Sequence, residues 1–309
     1  MIELERVSKR YGDATVVDDL TLAIGEGEFC VLIGSSGAGK STALKMINQL
    51  IPPSAGTIRV DGKDAATVAP EALRRRMGYV IQSIGLFPHW TVERNVGAVP
   101  ALLGWPRPRI AARTRQLLAL LKLEPDSFAR KYPHQLSIGQ QQRVGIARAL
   151  AADPDVLLMD EPFGALDPIT RDALQAEMQR IHRESRKTIV FVTHDMEEAL
   201  KLATRIAVMD RGRLIQAGTP LEILAQPASY FVRELVGQDE LGIRLLSVET
   251  VENRMRRGAG PAAAPTIAAT ASLRQALSRM IAAGSDRLAV TDGDGRPVGA
   301  LHLADIVRR

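Results

Sequence analysis

Residues Gly34-Ser35-Ser36-Gly37-Ala38-Gly39-Lys40-Ser41-Thr42 match the phosphate-binding loop pattern G-x-x-x-x-G-K-[ST] at every fixed position. The pattern constrains the fold, because such a loop sits between a strand and a helix. Both flanks are present: Phe29-Cys30-Val31-Leu32-Ile33 reads as a buried strand and Ser41 to Leu50 as a helix. The residue types suit the chemistry. Glycines let backbone N–H groups turn inward around phosphate oxygens. The helix start adds partial positive charge. Lys40 is placed to reach the β- and γ-phosphates, and the Ser41 hydroxyl to hold Mg²⁺. A flexible Gly/Ser linker does not account for every fixed position matching in this context. The chain is therefore expected to bind a nucleoside triphosphate.

The length, 309 residues, suits one large domain plus a smaller one. No apolar run approaches a membrane span, and Met1-Ile2-Glu3-Leu4-Glu5-Arg6 carries no signal-peptide pattern. A cytoplasmic protein is expected. The single cysteine, Cys30, reads as a buried core thiol. The net charge of +5 permits an anionic membrane face or nucleic acid as neighbour and demands neither. The histidines show no metal-ligand spacing.

Strands are expected at Leu20–Ile24, Gly56–Gly62, Val156–Met159 and Thr188–Val192, with a mostly helical stretch from Val92 to Leu150 and a helix over Arg171–Glu184. Strands alternating with helices imply a largely parallel sheet. Asp210-Arg211-Gly212, between two strand-like runs, signals a hairpin. Gly258 to Pro265 reads as a linker or loop.

Asp160 and Glu161 end the apolar run Val156-Leu157-Leu158-Met159. Parallel sheets bind ligands at the carboxyl ends of their strands, so both acids belong near the phosphate loop. Asp160 suits a Mg²⁺ contact and Glu161 the general base that polarises water. His194 ends the next strand-like run, where a structural and a catalytic role are both open. Ser137 precedes the helical run Val144 to Ala151 as an N-cap candidate, which makes either a second anion site or an ordinary cap.

The order of Gly34–Thr42, Gln82, Leu136-Ser137-Ile138-Gly139-Gln140, Asp160-Glu161, Ala165-Leu166-Asp167 and His194 resembles the ATP-binding subunit of ABC transporters. The resemblance implies an α/β chain with a RecA-like P-loop core, an antiparallel β subdomain and a helical signature subdomain over residues 1–236. It also implies a head-to-tail dimer sandwiching two ATP. In that arrangement Tyr11 resembles the aromatic that stacks on adenine, and Gln82 the glutamine that meets Mg²⁺ and the attacking water. Ser137, Gly139 and Gln140 resemble the signature that contacts the opposite γ-phosphate. Asp167 resembles the acid that crosses the dimer, and His194 the switch histidine. The family's usual signature reads Leu-Ser-Gly-Gly-Gln, and here Ile138 replaces its first glycine. A position at φ > 0 would strain a β-branched residue by about 1–3 kcal/mol, whereas the first position of a helix would not. The capping role of Ser137 favours the helix.

Tyr79 to Val92, Lys131 to Leu136 and Asp160 to Pro168 are similar to the importer branch for glycine betaine, choline and other quaternary amines. That implies transmembrane permease subunits, a periplasmic or lipid-anchored solute-binding protein, a place on the cytoplasmic face of the membrane, and no direct nucleic acid contact. Phe87 and Trp90 are either interface anchors or core. After a connecting segment, 237–263, the stretch 264–309 resembles a small α+β cystathionine-β-synthase (CBS) type regulatory domain. Residues 241–257 are its lead-in helix or a degenerate first half. One copy per chain implies that two tails pair, and Arg274, Arg279, Arg287, Arg296, Arg308 and Arg309 suit an anionic lipid or a nucleotide. Two other readings stand beside this one: an importer of amino acids or another small solute, and a non-transport ABC ATPase acting in DNA repair or translation. A single cassette and a single cysteine argue against the latter.

Overall fold

Strands that are apolar along their whole length must be covered on both faces, and the order of elements in this chain provides the cover. The structure is a computed structural model that describes residues 1–83, 85–164, 166–237, 239–258 and 264–307. Expectations attached to Ile84, Ala165, Ala259 to Ala263, Arg308 and Arg309 lie outside the described residues. The chain divides into two compact units, Met1–Ala217 and Gly218–Arg309.

The first unit holds two sheets. With strands numbered along the chain, β1 (Ile2–Tyr11), β2 (Ala14–Ile24), β4 (Ala55–Val60) and β5 (Lys63–Asp64) form an antiparallel sheet in the order β2-β1-β4-β5. The central sheet combines β3 (Phe29–Gly34), β6 (Met77–Val80), β7 (Val156–Asp160), β8 (Thr188–Val192), β9 (Arg205–Asp210) and β10 (Arg213–Gly218) in the order β10-β9-β3-β8-β7-β6. From β9 through to β6 its neighbours run parallel. Every residue of β3, β7 and β8 is buried, as continuous apolar runs in a parallel sheet require. Leu4, Leu20 and Ile58 of the antiparallel sheet share one core with Leu32, Leu158 and Val190 of the central sheet. Leu44 and Ile47, from the helix Lys40–Ile47, join that core. Cys30 lies in it with a free thiol that burial pushes up to about 12.

The stretch expected to be helical contains Val92–Val96, Ala98–Leu102, Arg107–Leu120, Pro125–Phe128 and Ile138–Leu150. The expected helix at Arg171–Glu184 runs over Pro168–Ser185. Phe87 and Trp90 are not core: their rings lie 4.4 Å apart, with Phe87 exposed and Trp90 half-buried. Among the described residues no helix is long and apolar enough to cross a membrane.

The second unit carries a sheet in the order β11-β14-β13-β12, from β11 (Arg256–Arg257), β12 (Thr266–Ala268), β13 (Arg287–Thr291) and β14 (Pro297–His302). Helices Leu273–Ala283 and Leu303–Val307 accompany it. Its core joins Val251, Leu273, Met280, Leu288, Val290 and Leu301, with Leu246 and Met255 packed against them. Residues 241–257 therefore contribute to this core as the helix Leu241–Val248, a short 3₁₀ turn and β11. The helix Pro220–Ala225 packs on Leu241–Val248, so the compact unit begins earlier than a boundary at 236.

Candidate functional site

The phosphate loop leaves the carboxyl end of β3, between β8 and β9. Two of its glycines are imposed by neighbours. A Cβ on Gly34 would collide with the Met209 carbonyl of β9, and one on Gly39, at φ +91°, would sit 2.6 Å from the Val16 carbonyl oxygen of β2. Ser35, Ser36 and Gly37 are exposed; Ala38, Gly39 and Lys40 are buried. The Lys40 ammonium donates to the carbonyls of Gly34 (2.8 Å) and Ser35 (2.7 Å), folded over its own loop. Burial lowers its pKa, opposed by the charges of Glu161 and Asp160. Ser41 Oγ donates to Asp160 Oδ1 at 2.7 Å, joining the helix start to the end of β7. Asp160 is buried, and loss of water raises its pKa against the Ser41 hydrogen bond and the nearby Lys45. Thr42 is half-buried in the first turn of the same helix.

Glu161 follows β7 with φ +44°, a left-handed backbone rarely adopted by a residue with a side chain. Its N–H donates to the Val192 carbonyl at the end of β8 at 3.0 Å, which holds the turn. Such strain costs about 1–3 kcal/mol and persists where surrounding structure fixes it. It turns the carboxylate toward His194 Nδ1, 3.4 Å from Oε2, and Gln82 Nε2, 3.5 Å from the same oxygen. His194 is largely exposed, and Glu161 is less than a quarter exposed. Lys40, Ser41, Asp160, Glu161, Gln82 and His194 thus form one group at the carboxyl end of the sheet.

The remaining expected residues lie elsewhere. Ser137 caps the helix Ile138–Leu150: its Oγ accepts from Gln140 N–H at 3.3 Å, and Gln140 Oε1 accepts from Ser137 N–H at 3.0 Å. Ile138 is therefore the first helical residue, exposed and free of positive φ. Gly139 lies in that first turn, where a Cβ would come 3.3 Å from Leu166. Asp167 caps the helix Pro168–Ser185 through Thr170 N–H at 3.0 Å; that hydrogen bond holds its carboxyl below the usual range. Tyr11 ends β1, half exposed, with the Lys9 ammonium 5.1 Å from its ring centre. Among the described residues of one copy, no hydrogen bond or ion pair joins Ser137, Asp167 or Tyr11 to the phosphate loop. Sequence reasoning left Arg171, Gln175, Thr193 and Glu198 without a role. They form a network beside His194 in which Gln175, Thr193 and Glu198 are buried and Arg171 half-buried, and the one visible signal is the Asp-x-x-Glu spacing from Asp195 to Glu198.

A parallel sheet with a phosphate loop at its carboxyl edge defines a phosphate-loop nucleotide-binding protein. Comparison with known proteins narrows this. A family model described as ABC transporter matches residues 17–164, and one described as CBS domain matches residues 251–309. The glycine betaine uptake system ATP-binding protein YehX of Escherichia coli (strain K12) is 54% identical over 307 residues, covering 99% of both chains. The glycine betaine/carnitine/choline transport ATP-binding protein OpuCA of Bacillus subtilis (strain 168) is 50% identical over 293 residues, 94% of this chain and 76% of that one. The dimeric post-hydrolysis structure of the ATP-binding cassette MJ0796 bound to ADP and Pi superposes with a TM-score of 0.66 at 33% identity, over 71% of this chain and 98% of that chain. The chain belongs to the ATP-binding subunits of ABC transporters, and it carries a C-terminal CBS domain. This family binds ATP and hydrolyses it in the service of transport.

Proposed function

We propose that this chain is the ATP-hydrolysing subunit of an importer for osmoprotectants such as glycine betaine, choline or other quaternary amines. The observation that carries the solute class is the end-to-end similarity to a glycine betaine uptake protein, 54% over 307 residues. The cassette itself has no need to touch the solute.

The geometry supports the following hydrolytic roles. Lys40 neutralises the terminal phosphates, leaving its loop carbonyls to do so. Glu161 is the general base, with His194 and Gln82 orienting its carboxylate and the attacking water. Ser41 and Asp160 present a hydroxyl and a carboxylate 2.7 Å apart at the loop, hard oxygen donors of the kind Mg²⁺ takes beside substrate phosphates. They, with Gln82, would hold Mg²⁺, whose charge offsets that developing on the phosphate oxygens.

In a head-to-tail pair of copies, Ser137, Gly139 and Gln140 face the partner's γ-phosphate, and Asp167 crosses the interface. The Ser137 hydroxyl accepts from Gln140 and keeps its own proton to donate. Tyr11 stacks on adenine. The pair docks on transmembrane permease subunits at the cytoplasmic face of the membrane, and a solute-binding protein delivers the solute from outside. The test is reconstitution with the cognate permease and binding protein in proteoliposomes. Glycine betaine or choline should stimulate ATP hydrolysis and be taken up. Stimulation by amino acids alone would overturn the solute assignment.

A further inference from the structure

His194 sits on a segment whose two neighbours are fixed from within the protein. On one side, the buried Thr193 donates its N–H to the Leu32 carbonyl at 3.2 Å, and its Oγ1–H to Glu198 Oε2 at 2.7 Å. On the other side, Asp195 N–H donates to Thr193 Oγ1 at 3.0 Å, and Asp195 Oδ1 caps the helix Met196–Leu202. Glu198 thus grips the hydroxyl around which the histidine turn is folded. The Asp-x-x-Glu spacing would normally send Glu198 back to the Asp195 N–H as a capping box. Here Thr193 takes that N–H, and Glu198 turns inward instead.

Glu198 is 6% exposed, an expensive place for a carboxylate without partners. Its other oxygen accepts from Gln175 Nε2 at 3.2 Å and lies 3.9 Å from Arg171 Nε. Arg171 Nε is itself buried and makes no hydrogen bond. The same guanidinium donates to the Leu166 carbonyl at 3.3 Å, one residue before Asp167, and lies 3.8 Å from Asp195 Oδ2. One partly buried network therefore runs from the segment carrying Asp167 to the segment carrying His194, and it holds an unused buried donor, Arg171 Nε, beside a carboxylate.

We propose that Glu198 is a positioning residue for His194: by holding Thr193 it sets the imidazole against Glu161, and through Arg171 it ties that setting to the segment of Asp167. The proposal rests on the assignment of Glu161 and His194 to hydrolysis. Neither Glu198 nor Thr193 touches nucleotide or water in this role. Both act on rate through the histidine, not on ATP affinity.

The test uses the full-length chain and steady-state ATP hydrolysis. Thr193→Val keeps the shape and deletes the hydroxyl. It should lower kcat about tenfold, the scale expected when a catalytic group is displaced by a fraction of an ångström, with KM for ATP within about twofold. Thr193→Ser should restore most of the rate. In a His194→Ala background, Thr193→Val should cost less than about a further twofold, because residues acting as a unit are not additive. Glu198→Gln, which keeps packed volume, is the second variant and is judged by the same criteria should Thr193→Val fold poorly. An equal fall in both backgrounds, or a kcat within twofold of the parent for both variants, overturns the proposal. If His194→Ala alone leaves kcat unchanged, the hydrolytic assignment fails instead.

Discussion

Nδ1 of His194 lies 3.4 Å from Oε2 of Glu161, across the ends of two neighbouring strands. Gln82 approaches the same oxygen from beyond β6. Three adjacent parallel strands, β6, β7 and β8, each release one polar residue at the carboxyl edge, and the strained turn at Glu161 aims its carboxylate at the other two. The relation is a product of the sheet, since no two of these residues are neighbours in the chain.

Glu161→Gln should keep ATP binding and lower hydrolysis by about 10²–10⁴-fold, the usual size of a lost general base. With hydrolysis stopped, ATP should accumulate a dimer. Phosphate release and light scattering with and without ATP measure the two effects; a near-parental rate would refute the assignment.

Lys40→Ala should act one step earlier, on binding. Loss of a charge-assisted contact to phosphate should weaken ATP affinity at least about tenfold, equivalent to about 1.4 kcal/mol. Titration with a fluorescent ATP analogue reads it, and unchanged affinity would count against the loop's role.

Asp160 offers a prediction about pH. Burial raises its pKa in the folded state, so the folded chain takes up that proton more readily than the unfolded chain. Its contribution to stability is present below the unfolded value, about 4, and is lost as pH rises through the raised folded value. Asp160→Asn removes this component. Nucleotide-free Asp160→Asn should melt above the parent at neutral pH by a few degrees, ~2–4 °C, with the gap closing in acid. The same variant should lose Mg²⁺-dependent hydrolysis. A melting difference that does not change with pH would sink the idea.

Ile138→Gly should change hydrolysis by less than about tenfold, ~1.4 kcal/mol of barrier. Ile138 is an exposed first helical residue, and under the proposed function Ser137 and Gly139, not residue 138, are the ones to meet phosphate. A much larger gain in kcat would mean that isoleucine impairs the signature.

Arg274, Arg279 and Arg287 are exposed on the second unit. We expect them to hold the tail to anionic lipid at low salt, restraining the ATPase, each worth about 1 kcal/mol. Salt shortens the Debye length and releases them. Replacing all three with glutamine should shift solute uptake in anionic proteoliposomes to lower activating salt. Superimposable salt curves for parent and variant would rule this out.

The sequence alone determined the phosphate loop, the strand before it, the two acids at the end of β7 and the presence of a C-terminal CBS stretch, because each is written in a contiguous run. Local rules sufficed there: a buried strand is apolar throughout, and Ser137 caps because the three residues after it supply the partner. The expected helix of Arg171–Glu184 begins a turn earlier, at Pro168, because Asp167 caps it. Tertiary structure decided the rest. Whether His194 was structural or faced the base depended on β8 lying beside β7, a strand order that no local pattern encodes. The positive φ of Glu161 is accompanied by a hydrogen bond to Val192 on another strand, which the local sequence does not encode. Glu198 has the spacing of a capping box in sequence but does not form one in the fold, because a buried carboxylate takes the buried donors within reach, Thr193 and Gln175, over a backbone N–H already claimed.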